Sequence, residues 1–449
     1  MSDEPRRLDR RDFLVRGGLL AGATTLAGAG GYVAARELAR PEADAQAAGP
    51  EAAKTDTRQF LLDPAYVNLT TFLLASHPRV VREAIERHRR GLDAGTALYL
   101  RQAEPMFEDE ARDAAAEYLG TPAEQVALTD STTMGLGLMY ARLGLEPGDE
   151  VVTTEHDFYA THEPLRLREQ LDGATVRRIR LYEQPENASV DAIVAAVSGA
   201  LRPRTRALAV TWVHSSSGVK LPLREIATAV ARANRGRRDR ERILLCVDGV
   251  HGFGAEDASP VDLGVDVFSS GCHKWLFGPR GTGLVWAAPH AWERLAPTIP
   301  TFDGSAYVAW IEGRAPTETP AGALNTPGGF HSFEHRWALK EAFEFHRDIG
   351  RDKVAARTLA LATRMKEGLA NIQGVTVKTP MEESLSAGLV CCDVSGHPAR
   401  EVVDRLRGEH KVVASVTPYA TQYLRFGPSI ANHEADVDRA LEAVAAIGA

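Results

Sequence analysis

Residues 243–254 read ILLCVDGVHGFG, and residues 265–283 read VDVFSSGCHKWLFGPRGTG. Each stretch opens as a short apolar run and stops abruptly in small and polar residues. A run of that length bounded by glycine reads as a buried strand rather than a helix. Asp248 stands at the mouth of the first run, and Lys274 follows the second within a small-residue turn. A carboxylate there is costly unless something cationic meets it. Open α/β sheets bind their ligands at the carboxyl ends of their strands, where both charges fall.

The same alternation extends outward from about Phe60. Apolar residues recur with helical period over 78–90, 106–119, 223–234 and 335–371. Short apolar runs come between, at 125–129, 150–154, 207–213, 243–247 and 265–269. Strands alternating with helices predict an α/β fold, a large, mainly parallel sheet with helices on both faces. Beyond the long helical region, runs at 388–394, 412–416 and 423–426 with helices at 398–409 and 433–446 predict a smaller C-terminal α+β domain. The expected plan is a large domain over 78–313 and a small domain from 60–77 and 330–449. A loop over 314–329 turns toward the active site or a dimer interface.

Composition bounds the function. The 449 residues are 44% hydrophobic, 25% charged and 7% aromatic, which describes a globular chain rather than a disordered or multi-span one. A net charge of −8 offers no basic field for a phosphate backbone, so no nucleic-acid partner is expected. Cys391 and Cys392 are adjacent, and Cys246 and Cys272 lie in apolar runs, so neither a disulfide framework nor a CxxC metal site is indicated.

Residues 1–47 read as an export signal and linker. DEPRRLDRRDFLVR (3–16) precedes an apolar stretch rich in Gly and Ala, then PEADAQAAGPEAA (41–53). The segment from Arg10 to Leu14 resembles the twin-arginine signal, which implies passage through the twin-arginine translocation machinery and a periplasmic or secreted enzyme.

A strand-end aspartate and a strand-end lysine suit pyridoxal 5'-phosphate, the lysine holding the cofactor as an imine and the carboxylate keeping its ring nitrogen protonated. Taken alone, each residue reads better as structural, the aspartate in a buried ion pair and the lysine on the surface. The chain has only eight lysines, and Lys274 alone has this setting. Upstream, LTDSTTMG (128–135) puts hydroxyls at a helix start, which is either a plain cap or an anion site.

From about Tyr66 onward the sequence resembles the class V aminotransferase family of fold-type-I pyridoxal phosphate enzymes. Its most specific piece is His273-Lys274-Trp275-Leu276 with GPRGTG, similar to the isopenicillin N epimerase-like branch. The resemblance implies the type I PLP-dependent transferase fold and a homodimer acting at the α-carbon of an amino acid or amine. It implies Lys274 as the catalytic Schiff-base lysine and Asp248 as the pyridinium partner. His251 and His214 would stand near the cofactor's phenolic oxygen, and Thr132, Thr133 and His273 at its phosphate. His156 would stack on the ring, with Tyr159 as a competitor. Thr326 would reach a partner's phosphate, and Arg425 in TQYLRFGPS would clamp the substrate carboxylate with its guanidinium fork.

Epimerisation or racemisation and transamination lead, with C–S lyase or cysteine desulfurase-like β-elimination as the alternative. Residues 412–426, where a desulfurase carries its nucleophilic cysteine, contain none. A rival from another class is zinc hydrolysis, since His331, Glu334 and His335 have HxxEH spacing. No third ligand accompanies them, and no metal is expected.

Overall fold

The computed structural model describes residues 57–448. The twin-arginine segment lies outside the described residues. In chain order the strands are β1 (Val67–Asn68), β2 (Val126–Thr129), β3 (Glu150–Thr154), β4 (Thr175–Ile179), β5 (Thr205–Thr211), β6 (Leu244–Asp248) and β7 (Val267–Gly271). They continue with β8 (Gly283–Ala287), β9 (Val375–Val377), β10 (Val390–Val394), β11 (Val412–Val413), β12 (Ser415–Val416) and β13 (Leu424–Phe426). Seven of them form one sheet in the order β2-β8-β7-β6-β5-β3-β4. The pairs β4-β3, β3-β5, β5-β6 and β6-β7 are parallel, and β8 runs antiparallel to both neighbours.

The central strands are buried along their whole length, which is why they read as continuous apolar runs. Helices cover both faces, and the two sides of the sheet fill separate apolar clusters around Leu208, Val247 and Phe268 on one side and Ala209, Cys246 and Val267 on the other. The sequence reading omits β4 and β8. β4 is an edge strand whose arginines Arg177 and Arg178 hide its apolar pattern. β8 is a reversed strand that begins inside the glycine-rich turn.

Two expected helices, 78–90 and 106–119, are joined in one helix, Arg79–Leu119, broken at Gly95. The expected single helix over 335–371 is instead three: Phe333–Trp337, Leu339–Ile349 and Arg351–Ala370. Gly350 separates the last two with φ of 101°, a conformation that stops a helix and that only glycine adopts readily. Leu339 and Phe343 pack into the large unit's core, so that unit reaches past the expected limit of 313. The second core takes in Val67 and Leu69 and then, from Leu361 onward, gathers Val390, Phe426 and Val444 around the sheet β12-β13-β10-β9.

Residues 67–75 tie the two units together. β1 pairs with β11, Gly427 N–H donates to Leu69 carbonyl at 2.7 Å, and Ala75 N–H donates to His273 carbonyl at 3.0 Å.

Candidate active site

The carboxyl ends of β7, β6, β5 and β3 surround one cavity of about 200 Å³, into which Lys274, Asp248, Ser215 and Phe158 all face. Lys274 and Asp248 therefore open on a common space rather than on separate ones. Asp248 is buried at the end of β6, and its Oδ1 accepts Val250 N–H at 3.0 Å. Burial pushes this carboxyl up, which the Val250 bond and the Lys274 charge oppose. Burial likewise lowers the Lys274 ammonium, against the pull of Asp248, and the Arg425 charge lowers it further. Each is the other's counter-charge across the cavity.

Thr132 and Thr133 also line the cavity, at the start of the helix Thr132–Ala141. Ser131 caps that helix by accepting Met134 N–H at 3.1 Å. Thr132 Oγ1 accepts Gly271 N–H at 2.7 Å, which pins the helix start to the turn carrying Lys274. Gly135 lets the helix sit close on β7, because a Cβ there would lie 2.1 Å from Ser269 Oγ. His273 faces the same pocket, so a helix N-terminus, two hydroxyls and an imidazole converge where an anion would sit.

His251 is buried and lines the cavity, and burial lowers its basicity well below the ordinary range. The Trp275 indole, which can only donate, points Nε1 at His251 Nδ1 at 3.5 Å. The ring proton therefore belongs on Nε2, leaving His251 a neutral donor.

Arg425 is 3% exposed on β13, a strand with neighbours on both sides, so it is not the surface arginine of an edge strand. Its Nε donates to Ser415 Oγ at 3.1 Å and its Nη1 to Ser215 carbonyl at 3.0 Å. Phe72 lies under the guanidinium at 4.5 Å. No carboxylate among the described residues pairs with it, no hydrogen bond engages Nη2, and the residue lines the cavity.

Three expected site residues stand elsewhere. His156 does not line the cavity. It stacks on Tyr182 with centroids 3.8 Å apart, and its Nε2 accepts Leu181 N–H at 3.2 Å. Phe158, two residues on, takes the cavity wall instead, while Tyr159 is 68% exposed. His214 is wholly buried behind Ser215, with Nδ1 2.8 Å from the Tyr182 hydroxyl. Thr326 turns inward, donating to Gly322 carbonyl at 2.9 Å and accepting Leu128 N–H at 3.1 Å, so its hydroxyl is engaged within its own chain.

Sequence reasoning missed Asp157, Phe158, Ser215 and Tyr419. Asp157 is buried and accepts Thr153 Oγ1, Thr154 N–H and Thr211 N–H at 2.8, 2.8 and 2.7 Å, locking the ends of β3 and β5 together. It stands three residues beyond β3, a signal akin to the strand-end position that singled out Asp248.

The HxxEH residues do not form a cluster. His331 precedes the helix Phe333–Trp337, so its spacing from His335 does not put both on one helical face. His331 Nδ1 donates to Gly329 carbonyl and His335 Nδ1 to Arg280 carbonyl. Among the described residues no three His, Cys, Asp or Glu side chains are grouped to hold a metal.

The family model described as Aminotransferase class-V matches residues 89–439. Isopenicillin N epimerase of Streptomyces clavuligerus is 28% identical over 402 residues, covering 87% of this chain and 96% of that protein. Among solved structures, a mutant of C-DES with glycine covalently linked to its PLP cofactor aligns with a TM-score of 0.76 at 19% identity, over 87% of this chain and 99% of that one. The cystine C–S lyase C-DES in complex with its reaction product cysteine persulfide aligns with a TM-score of 0.74 at 19% identity, over 85% and 97%. The fold is that of the type I PLP-dependent enzymes, as the sequence resemblance implied.

Proposed function

This chain belongs to the class V aminotransferase family, and from that premise we propose a pyridoxal 5'-phosphate enzyme that acts at the α-carbon of an amino acid by epimerisation, racemisation or transamination. The observation that carries this reading is the shared cavity, with Lys274 and Asp248 on neighbouring strand ends and a buried, carboxylate-free Arg425 beside them. The residues present fit the cofactor: Asp248 has one hydrogen bond and an oxygen left for a cationic ring nitrogen, and the helix start at Thr132 suits a phosphate.

When bound, pyridoxal phosphate supplies an electron sink for a substrate α-carbon. Asp248 would hold the proton on the ring nitrogen, Thr132, Thr133 and His273 would hold the phosphate, and His251, a neutral Nε2–H donor, would serve the phenolic oxygen. Lys274 would hold the cofactor through its amine, and that amine, its basicity lowered by burial, would suit taking or returning a proton at a substrate α-carbon. Arg425 binds the substrate carboxylate through its remaining N–H groups. Phe158, in the cavity wall, would cover the ring, while His156 and His214 both pack on Tyr182 outside the cavity lining.

A second reading, β-elimination at a carbon–sulfur bond, draws on the likeness to C-DES. A desulfurase that stores sulfur on its own cysteine fits poorly. Cys246, Cys272, Cys391 and Cys392 are all buried, and burial raises every thiol, Cys391 to about 12. Incubation of the purified protein with amino acids in deuterated water separates the reactions. Deuterium at the α-carbon with no keto acid supports epimerisation, keto acid without free ammonia or sulfide supports transamination, and sulfide released with ammonia supports elimination. Loss of the cofactor's visible band is expected in Lys274→Ala, and a wild type that stays colourless with added cofactor overturns the reading.

The exposed apolar side chains of Phe302, Tyr307, Trp310 and Phe330 support a homodimer through the 299–330 region. Export rests on the arginine pair Arg10-Arg11. Replacing both with lysine is expected to hold the protein in the cytoplasm on cell fractionation.

A further inference from the structure

Inversion at an α-carbon needs a proton removed from one face and returned to the other, and Lys274 serves one face only. The strand order separates Lys274 from a second polar group in the same cavity. β6, ending in Asp248, has β7 on one side and β5 on the other. Lys274 follows β7 and Ser215 follows β5, so the strand that carries Asp248 lies between theirs, and both line the cavity.

The Ser215 hydroxyl is 2.8 Å from the hydroxyl of Tyr419. Tyr419 sits in the short connection between β12 and β13, which Thr417 pins by bonding to both the carbonyl and the N–H of Tyr423. Its ring packs edge-on against Phe158, with centroids 5.9 Å apart and planes at 63°. Its neighbour Pro418 lines the cavity. The Ser215 carbonyl also accepts Arg425 Nη1 at 3.0 Å. A carboxylate held by Arg425 would therefore lie close to Ser215.

Resting on the reading above, we propose that Ser215 and Tyr419 form the second acid–base group, on the substrate face away from Lys274. The Lys274 amine takes the α-hydrogen as a proton, Ser215 O–H delivers its proton to the α-carbon from the other face, and Tyr419 O–H reprotonates Ser215 Oγ. The Tyr419 phenolate then takes a proton from water and the Lys274 ammonium returns one. Configuration is inverted and no atom or electron is gained or lost. The opposite enantiomer runs the same sequence backwards. Burial raises the Tyr419 hydroxyl, so the resting group carries its proton; the bond to Ser215 and the Arg425 charge favour the phenolate, while Asp157 and Asp248 oppose it.

The test is the holoenzyme with a panel of L- and D-amino acids in deuterated water, reading α-deuterium by NMR and configuration by chiral chromatography. The wild type is expected to yield deuterated molecules of both configurations. Tyr419→Phe and Ser215→Ala, each checked for cofactor absorbance, are expected to keep wash-in with retention while inversion falls about 100-fold. Ser215→Ala keeps the main-chain carbonyl that holds Arg425, so a general loss of substrate binding is not its signature. Variants that invert at the wild-type rate overturn the proposal, as do variants that lose wash-in and inversion in equal measure. A wild type that exchanges only with retention also overturns it. A wild type that exchanges no α-hydrogen overturns the underlying reading as well.

Discussion

Replacing Arg425 with alanine should erase the enzyme's ability to tell an amino acid from the corresponding amine. Two of the arginine's donors are committed, Nε to Ser415 and one N–H of Nη1 to Ser215. A substrate carboxylate is left with Nη2 and the second N–H of Nη1, enough for two charge-assisted hydrogen bonds. At about 1.5–3 kcal/mol each these contribute roughly 3–6 kcal/mol, or about 10²–10⁴ in kcat/KM. The assay compares an amino acid with its decarboxylated amine on both proteins. In the wild type the amine should be poorer by about that factor, and in Arg425→Ala the two should converge. Arg425→Lys, a point charge without the fork, should fall between them. Cofactor absorbance and melting temperature guard against collapse around Phe72, which would lose the cation above it. An Arg425→Ala enzyme that still discriminates by the wild-type factor would refute the assignment of the carboxylate to this arginine.

Other expectations follow from the same geometry. Phe158→Ala should weaken cofactor retention more than His156→Ala, measured by dialysis and residual visible absorbance; the reverse order would restore the ring-stacking role to His156. Burial lowers the imidazoles of His88, His156, His214 and His346 to about 3, from an ordinary 6.5. The folded state therefore binds fewer protons than the unfolded one between those values, so stability is complete above about pH 6.5 and lost as pH falls toward 3. Each such histidine contributes a slope of at most about 1.4 kcal/mol per pH unit. Urea midpoints between pH 7 and 4 should show it, with a shallower fall in His214→Asn. Dialysis against a metal chelator should leave activity unchanged, and a loss restored by zinc would revive the HxxEH motif.

Much of this was legible in the sequence because buried parallel strands leave a plain mark, an apolar run that stops at a functional residue. Asp248, Lys274 and Thr132 are all read that way, and each lines the cavity. The finer facing was hidden because these residues lie in turns beyond the strand ends, where a strand's alternation no longer says which side chain meets the cavity. His214 points into the protein and Ser215 into the cavity; His156 turns to Tyr182 and Phe158 to the site. Residue type suggested the histidines, but a one- or two-residue difference in facing decided otherwise. Tyr419 was illegible for another reason: its partner Ser215 is 204 residues away, and only the docking of the small sheet brings them together. The break at Gly350 was hidden because the flanking helices continue the same period.

The segment from Val67 to Ala75 has a practical corollary. It carries Phe72, the bed on which Arg425 lies, and Leu73, part of the cavity wall, and it is stitched to β13 at one end and to the Lys274 turn at the other. Proteolytic maturation and protein engineering therefore meet a sharp boundary here. Trimming past Tyr66 unpicks Arg425 from beneath and frees the lysine turn in the same stroke, so a shortened product should lose turnover long before it loses its helical content.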